Sequence, residues 1–158
     1  MEAVLRCAEE MGAAIQRYDD RISVTMTGRP AEYSVVTGPY PQFPTDLQSP
    51  MMAVMAAAEG TGRMEETVFE GRFGTVKELQ KLGADIIIED NRAEIRGLYP
   101  LTGAAVRARD LRGGAALVVA GLASRGVTQI TDCSHIERGY EDICRDLKSL
   151  GAVIRGME

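Results

Sequence analysis

Three observations predict an α/β fold assembled from a repeated unit, with helices enclosed and strands outside. Met11-Gly12-Ala13, Leu82-Gly83-Ala84 and Leu150-Gly151-Ala152 each close a helix-like stretch and open an apolar alternating one, the glycines lying 71 residues (12 to 83) and 68 residues (83 to 151) apart. The hairpin after the first of these recurs after the second: Ile15-Gln16-Arg17-Tyr18-Asp19-Asp20-Arg21 matches Ile86-Ile87-Ile88-Glu89-Asp90-Asn91-Arg92, with Asp or Asn at the tip as a tight turn requires. Residues 51–58 and 113–123 are apolar nearly all round and rich in small side chains, the pattern of helices buried on every side.

The other landmarks of the unit keep the same period. Asp46-Leu47-Gln48 and Asp110-Leu111-Arg112 stand 64 apart (46 to 110), and Gly60/Gly126 and Arg72/Arg138 both stand 66 apart (60 to 126, 72 to 138). One domain of 158 residues is expected, divided into a partial unit at 1–29, a complete unit at about 30–97 and a partial unit at about 98–158. The helical pattern at Val4, Leu5, Cys7, Ala8 and Met11 begins in mid-unit, so a fragment of a longer protein is expected, incomplete at both ends of the repeat array.

Within the complete unit, a strand at 33–37 leads through the rigid connector Gly38-Pro39-Tyr40-Pro41 to a helix at about 47–58, with Pro44 outside it and Thr45 or Asp46 able to cap it. Gly60-Thr61-Gly62 stops that helix, and residues 66–69 read as strand. A helix follows at 75–82, with Val76, Leu79 and Leu82 on one face, and then a hairpin pairs 84–88 with 93–95. The next unit repeats the order: strand 105–108, helix 111–123, strand 127–131, helix 140–150 and strand 152–155.

Composition narrows the function classes. A formal charge of −5, from 18 basic and 23 acidic residues with no basic block, disfavours a nucleic-acid surface and leaves an anionic small ligand to local arginines. Three cysteines without Cys-x-x-Cys spacing suit a reducing compartment, and a single histidine, His135, argues against a metal site. No cofactor motif is present, and the uncharged run 113–123 is too short to cross a bilayer, so a soluble cytoplasmic protein is expected.

Asp46 has two readings: a helix cap, as Asp110 in the equivalent place suggests, or a carboxylate at the cleft end of a helix that takes a proton from a substrate hydroxyl. Arg72 and Arg138 occupy equivalent loops and Arg112 opens a buried helix. Solvated surface arginines explain them simply; guanidinium forks gathered at helix starts would instead bind carboxylate or phosphate, with Arg112 and Arg138 approaching one another.

Four stretches carry a specific resemblance: 38–48 (GPYPQFPTDLQ), 59–62 with 67–73 (EGTG, TVFEGRF), 108–112 (ARDLR) and 135–141 (HIERGYE). In this order, and over practically the whole chain, they resemble the C-terminal part of the UDP-N-acetylglucosamine 1-carboxyvinyltransferase family of enolpyruvyl transferases. The resemblance implies an inside-out α/β barrel of βαβαββ units, and transfer of the enolpyruvyl group of phosphoenolpyruvate to the 3-hydroxyl of UDP-N-acetylglucosamine. That reaction serves peptidoglycan synthesis and thereby cell-wall biogenesis, cell shape and division.

By the same resemblance Asp46 is the base at the sugar hydroxyl and the backbone at Val68 contacts the UDP-sugar. Arg72 and Arg112 face the phosphoenolpyruvate carboxylate, Arg138 faces its phosphate, and Asp110 supports that wall. Asp46 and Arg138 are the expected catalytic residues. A lysine-asparagine pair and an acid-bearing mobile loop belong to an N-terminal domain outside this chain, so Cys7, Cys133 and Cys144 are not equated with the acid and the chain alone is expected to be inactive. Two departures fall in the motifs: Gln42 where glycine is common and Gly71 where asparagine is usual. Two further readings stand beside this one: a non-catalytic binding or structural module that keeps the half-site, and a 5-enolpyruvylshikimate-3-phosphate synthase-like domain.

Overall fold

A computed structural model describes residues 1–156. The chain runs α1 (Glu2–Glu10), β1 (Ala14–Arg17), β2 (Ile22–Thr25), β3 (Ser34–Val36), a 3-10 turn (Thr45–Leu47), α2 (Gln48–Ala57), β4 (Thr61–Glu65), α3 (Val76–Lys81), β5 (Asp85–Glu89) and β6 (Arg92–Arg96). It continues with β7 (Leu101–Thr102), β8 (Ala105–Arg107), α4 (Leu111–Leu122), β9 (Ser124–Arg125), β10 (Gln129–Thr131), α5 (Ser134–Glu137) and α6 (Ile143–Ser149).

The two apolar helices lie at the centre. α2 packs along α4, and Met52, Ala53, Ala56, Ala116, Leu117 and Ala120 are almost completely buried. Withdrawing a side chain the size of Met52 or Leu117 from water stabilises the fold by about 1.5–3 kcal/mol, so this pair anchors the core. Small residues let elements close in: a Cβ at Gly114 would lie 2.5 Å from Ile136 Cγ1, so α5 rests directly on the α4 backbone.

The sheets flank this pair, and the largest has the order β3-β4-β6-β5. β3 and β4 are parallel, whereas β6 is antiparallel to both β4 and β5. The repeat is visible as equivalent pairing. β8 and β10 are parallel like β3 and β4, and the Thr37 N–H to Glu65 carbonyl bond (2.9 Å) recurs as Ala108 N–H to Thr131 carbonyl (3.0 Å). Both expected hairpins form, β1 with β2 and β5 with β6.

Four expectations are corrected. The strand expected at 66–69 lies at Thr61–Glu65, because Gly62 and Met64 face inward while the chain pairs on both sides with β3 and β6; residues 66–74 form a loop instead. The helix expected from 47 opens as a 3-10 turn, and neither Thr45 nor Asp46 caps α2 through its side chain. The helix expected at 140–150 starts at Ile143, where the Asp142 carboxylate accepts from the Arg145 N–H at 2.8 Å, and the short α5 precedes it. Residues 152–155 form no strand: the Ala152 N–H closes the end of α6 by donating to the Leu147 carbonyl at 3.0 Å, and no partner strand lies alongside among the described residues. The short parallel pair β7 and β9 gave no sequence signal, being two residues long on each side.

Candidate functional site

The loop that presents Asp46 is closed before it arrives there. Gly38 N–H donates to the Phe43 carbonyl and Gln42 N–H to the Pro39 carbonyl, both at 2.9 Å, while Phe43 is buried and bridges to Thr37. Gln42, the first departure from the motif, folds over Gly38, where an added Cβ would collide with its side chain. The 3-10 turn then turns the Asp46 side chain away from the α2 amides and toward two arginines.

Asp46 Oδ1 accepts from Arg112 Nε at 2.6 Å and from Arg72 Nη2 at 3.3 Å. Asp46 Oδ2 takes no hydrogen bond among the described residues, and the side chain is 60% exposed. The bond from Arg112 holds the Asp46 carboxyl below its ordinary range; partial burial opposes this, and the charges of Arg112 and Arg72 reinforce it. Reciprocally, the bond to Asp46 raises Arg112. Asp110 behaves otherwise. Its Oδ1 accepts from the Gly113 N–H at 2.8 Å, so it is the cap of α4. The two equivalent aspartates have therefore separated: Asp110 is a cap, and Asp46 stands among cations.

Arg72 comes from the loop after β4 and is 20% exposed, its guanidinium 4.6 Å from the centre of the Phe69 ring. The loop needs the left-handed conformation at Gly71 (φ +66°). Glycine and asparagine are the residues that adopt it most readily, so the second departure conserves the turn. Val68 lies in the same loop, its N–H donating to Glu66 at 2.9 Å.

Arg138 follows α5, is exposed and makes no ion pair among the described residues. Its neighbour Gly139 packs on Leu111, whose Cδ1 would be 2.4 Å from an added Cβ, which puts this turn at the start of α4 beside Arg112. The structure thus brings Asp46, Arg72 and Arg112 into contact and seats the Arg138 turn against the residue preceding Arg112. His135 is half-buried on α5 and takes no side-chain hydrogen bond among the described residues.

Two buried carboxylates at this end escaped sequence reading. Glu66 accepts from the Thr45 hydroxyl and from the Val68 and Phe69 amides. Glu78, 3% exposed, accepts from Lys81 Nζ at 2.7 Å and from the Arg107 N–H at 3.0 Å, fixing the strand that leads to Arg109 and Asp110. Burial would raise the Glu78 carboxyl, but these two bonds bring it below its ordinary range. Glu78 stands three residues before Lys81, the spacing of a solvated helix pair, and Glu66 opens a loop, so nothing in the sequence separates them from surface residues.

The cysteines stand apart from this chemistry. Burial, with Glu10 nearby, pushes the Cys7 thiol up to about 11, and it packs 3.9 Å from the sulfurs of Met11 and Met51. Cys133, raised by burial, donates to the Ile130 carbonyl. Neither thiol is suited to act as an acid or a nucleophile near neutrality. No grouping of three or more His, Cys, Asp or Glu side chains suited to a metal occurs among the described residues.

With this geometry in place, similarity to known proteins becomes informative. The EPSP synthase (3-phosphoshikimate 1-carboxyvinyltransferase) family profile matches residues 1–147. A UDP-N-acetylglucosamine 1-carboxyvinyltransferase from Finegoldia magna is 50% identical over 140 residues, spanning 89% of this chain and 33% of that protein. UDP-N-acetylglucosamine 1-carboxyvinyltransferase 2 from Caldanaerobacter subterraneus subsp. tengcongensis is 46% identical over 155 residues, spanning 98% of this chain and 37% of that protein. The chain thus spans about a third of the length of these curated relatives. Among solved structures, the enolpyruvyl transferase NikO from Streptomyces tendae superposes with a TM-score of 0.87 at 31% identity, covering 98% of this chain and 36% of NikO. EPSP synthase from Acinetobacter baumannii, at 17% identity and a TM-score of 0.75 over 99% of this chain and 37% of its own, shares the fold. By sequence and by fold alike, the chain belongs to the EPSP synthase (3-phosphoshikimate 1-carboxyvinyltransferase) family of enolpyruvyl transferases, and is a partial, UDP-N-acetylglucosamine 1-carboxyvinyltransferase-like member of it.

Proposed function

We infer that the chain supplies the base-and-anion half of a site that transfers the enolpyruvyl group of phosphoenolpyruvate to the 3-hydroxyl of UDP-N-acetylglucosamine, and that an N-terminal domain supplies the other half. The observation that carries this reading is the Asp46 carboxylate, bonded through one oxygen to Arg112 and Arg72 and open at the other.

Asp46 Oδ2 accepts the proton of the sugar hydroxyl as its oxygen bonds to the enol carbon of phosphoenolpyruvate. The acid that protonates the methylene carbon comes from the N-terminal domain; its conjugate base then takes back one proton of the new methyl group as phosphate leaves, which restores the double bond. Arg72 and Arg112 take the phosphoenolpyruvate carboxylate and Arg138 its phosphate, guanidinium being suited to both by its fixed fork of donors. As that carboxylate draws the two guanidinium groups from Asp46 Oδ1, the constraint that depresses Asp46 weakens and it becomes the stronger base. The Val68 N–H is committed to Glu66, so its carbonyl is the backbone group that receives a donor of the sugar nucleotide. Asp110, by capping α4, keeps Arg112 at its place. On this reading the protein works in the cytoplasm, in peptidoglycan synthesis, cell-wall biogenesis and the cell cycle.

NMR titration of the isotopically labelled chain tests the assignment. Phosphoenolpyruvate is expected to shift the guanidinium signals of Arg72 and Arg112, and UDP-N-acetylglucosamine the Val68 amide and Asp46 carboxyl signals. Response to shikimate 3-phosphate with none to UDP-N-acetylglucosamine would assign the half-site to the other substrate class.

A further inference from the structure

We propose that Glu66 is a positioning residue for this site, one buried carboxylate that sets the Val68–Phe69 backbone with one oxygen and the Thr45–Asp46 turn with the other. Resting on the functional reading above for what is positioned, it adds how the two loops are held in register.

Glu66 is 3% exposed. Its Oε1 accepts from the N–H groups of Val68 (2.9 Å) and Phe69 (3.1 Å), and its Oε2 accepts from the Thr45 hydroxyl at 2.8 Å. Its own backbone is pinned to the β5–β6 turn: the Glu66 N–H donates to the Asn91 carbonyl at 2.9 Å, and Asn91 Nδ2 donates to the Glu66 carbonyl at 3.2 Å. A carboxylate this deeply buried is costly unless its oxygens are satisfied, and here the satisfaction comes from two separate loops. Because the two oxygens share one rigid plane, a shift of either loop is felt by the other.

The fold itself does not require this arrangement. The equivalent residue of the second unit, 66 positions on, is Asp132, whose side chain is 40% exposed and receives Arg107 Nε rather than backbone amides. The same strand end is therefore built without a buried carboxylate where no Asp46 stands nearby. Thr45 is adjacent to Asp46, and Arg72 lies three residues beyond Phe69, so the Glu66 bridge fixes both ends of the Asp46–Arg72 pair.

The test uses the labelled 158-residue chain as wild type, Glu66→Ala, Glu66→Gln and Thr45→Val. The readouts are the titration midpoint of the Asp46 carboxyl by ¹³C NMR and amide exchange at Val68 and Phe69. The charged groups facing Asp46 are Arg72 and Arg112, with Asp110 beside Arg112. In Glu66→Ala, exchange at the two amides should speed by about tenfold or more, the worth of a hydrogen bond to a charged acceptor. The Asp46 midpoint should climb toward the ordinary carboxylate range. Glu66→Gln, which keeps an acceptor oxygen, should hold both amides within about threefold of wild type. Thr45→Val should raise the Asp46 midpoint and leave both amides unchanged, which also serves if Glu66→Ala fails to fold.

A folded Glu66→Ala chain with both readouts at wild-type values overturns the proposal, as does an unmoved Asp46 midpoint in Thr45→Val. Both are read without ligand. Failure of UDP-N-acetylglucosamine to shift Val68 in the wild type would count against the functional reading, while the Glu66 proposal would still be decided by its own readouts.

Discussion

Asp46→Asn is expected to lower kcat by about 10²-fold or more, the scale of a positioned general base, when the chain is joined to the remaining portion of a curated relative and assayed for phosphate release. Asparagine keeps the size of the side chain and an acceptor for Arg112, but its amide cannot take up the hydroxyl proton. Stability should hardly change, because Asp46 is largely exposed and its ion pairs are of the surface kind, worth about 0–1 kcal/mol. The capping explanation predicts near-normal turnover instead, since asparagine caps as well as aspartate. Asp46 makes no capping bond, whereas Asp110 does, so Asp110→Ala serves as the contrast: it should cost stability of about 0.5–2 kcal/mol, measured by thermal unfolding.

Arg112→Ala should raise the phosphoenolpyruvate requirement and lower kcat/KM by about 10–100-fold, with Arg112→Lys recovering only part of the loss. The side chain is half-exposed and anchored on Asp46, so its removal leaves the core untouched while taking away one of the two donors proposed for the phosphoenolpyruvate carboxylate. Lysine restores charge but not the planar fork. Equal turnover in all three proteins would remove Arg112 from the anion site.

Much of this was legible in the residues, for definable reasons. The repeat announced itself because the same glycine-terminated helix recurs three times, followed after the first two by a hairpin, and hairpin tips and helix ends depend on local chemistry. The central helices were legible because α2 and α4 have no polar face to give to solvent. Asp46, Arg72 and Arg112 do converge, though only the structure distinguishes Asp46 from the cap Asp110, since both precede a helix and the difference is one 3-10 turn. β4 was misplaced because Gly60-Thr61-Gly62 reads as a breaker; pairing on both sides by β3 and β6 overrides that local signal. Glu66 and Glu78 read as ordinary surface charges because the groups that tie them to the rest of the fold, the Thr45 hydroxyl and the Arg107 amide, lie far along the chain and leave no periodic trace.

Phosphate release from phosphoenolpyruvate in the presence of UDP-N-acetylglucosamine tests the half-site claim most directly. It should be measured on the isolated chain and on the chain joined to the remaining portion of a relative. The expected result is none from the isolated chain and sustained, Asp46-dependent release from the joined protein. Turnover by the purified chain alone, or an inactive joined protein that is folded and binds both substrates, would contradict the division of the site proposed above.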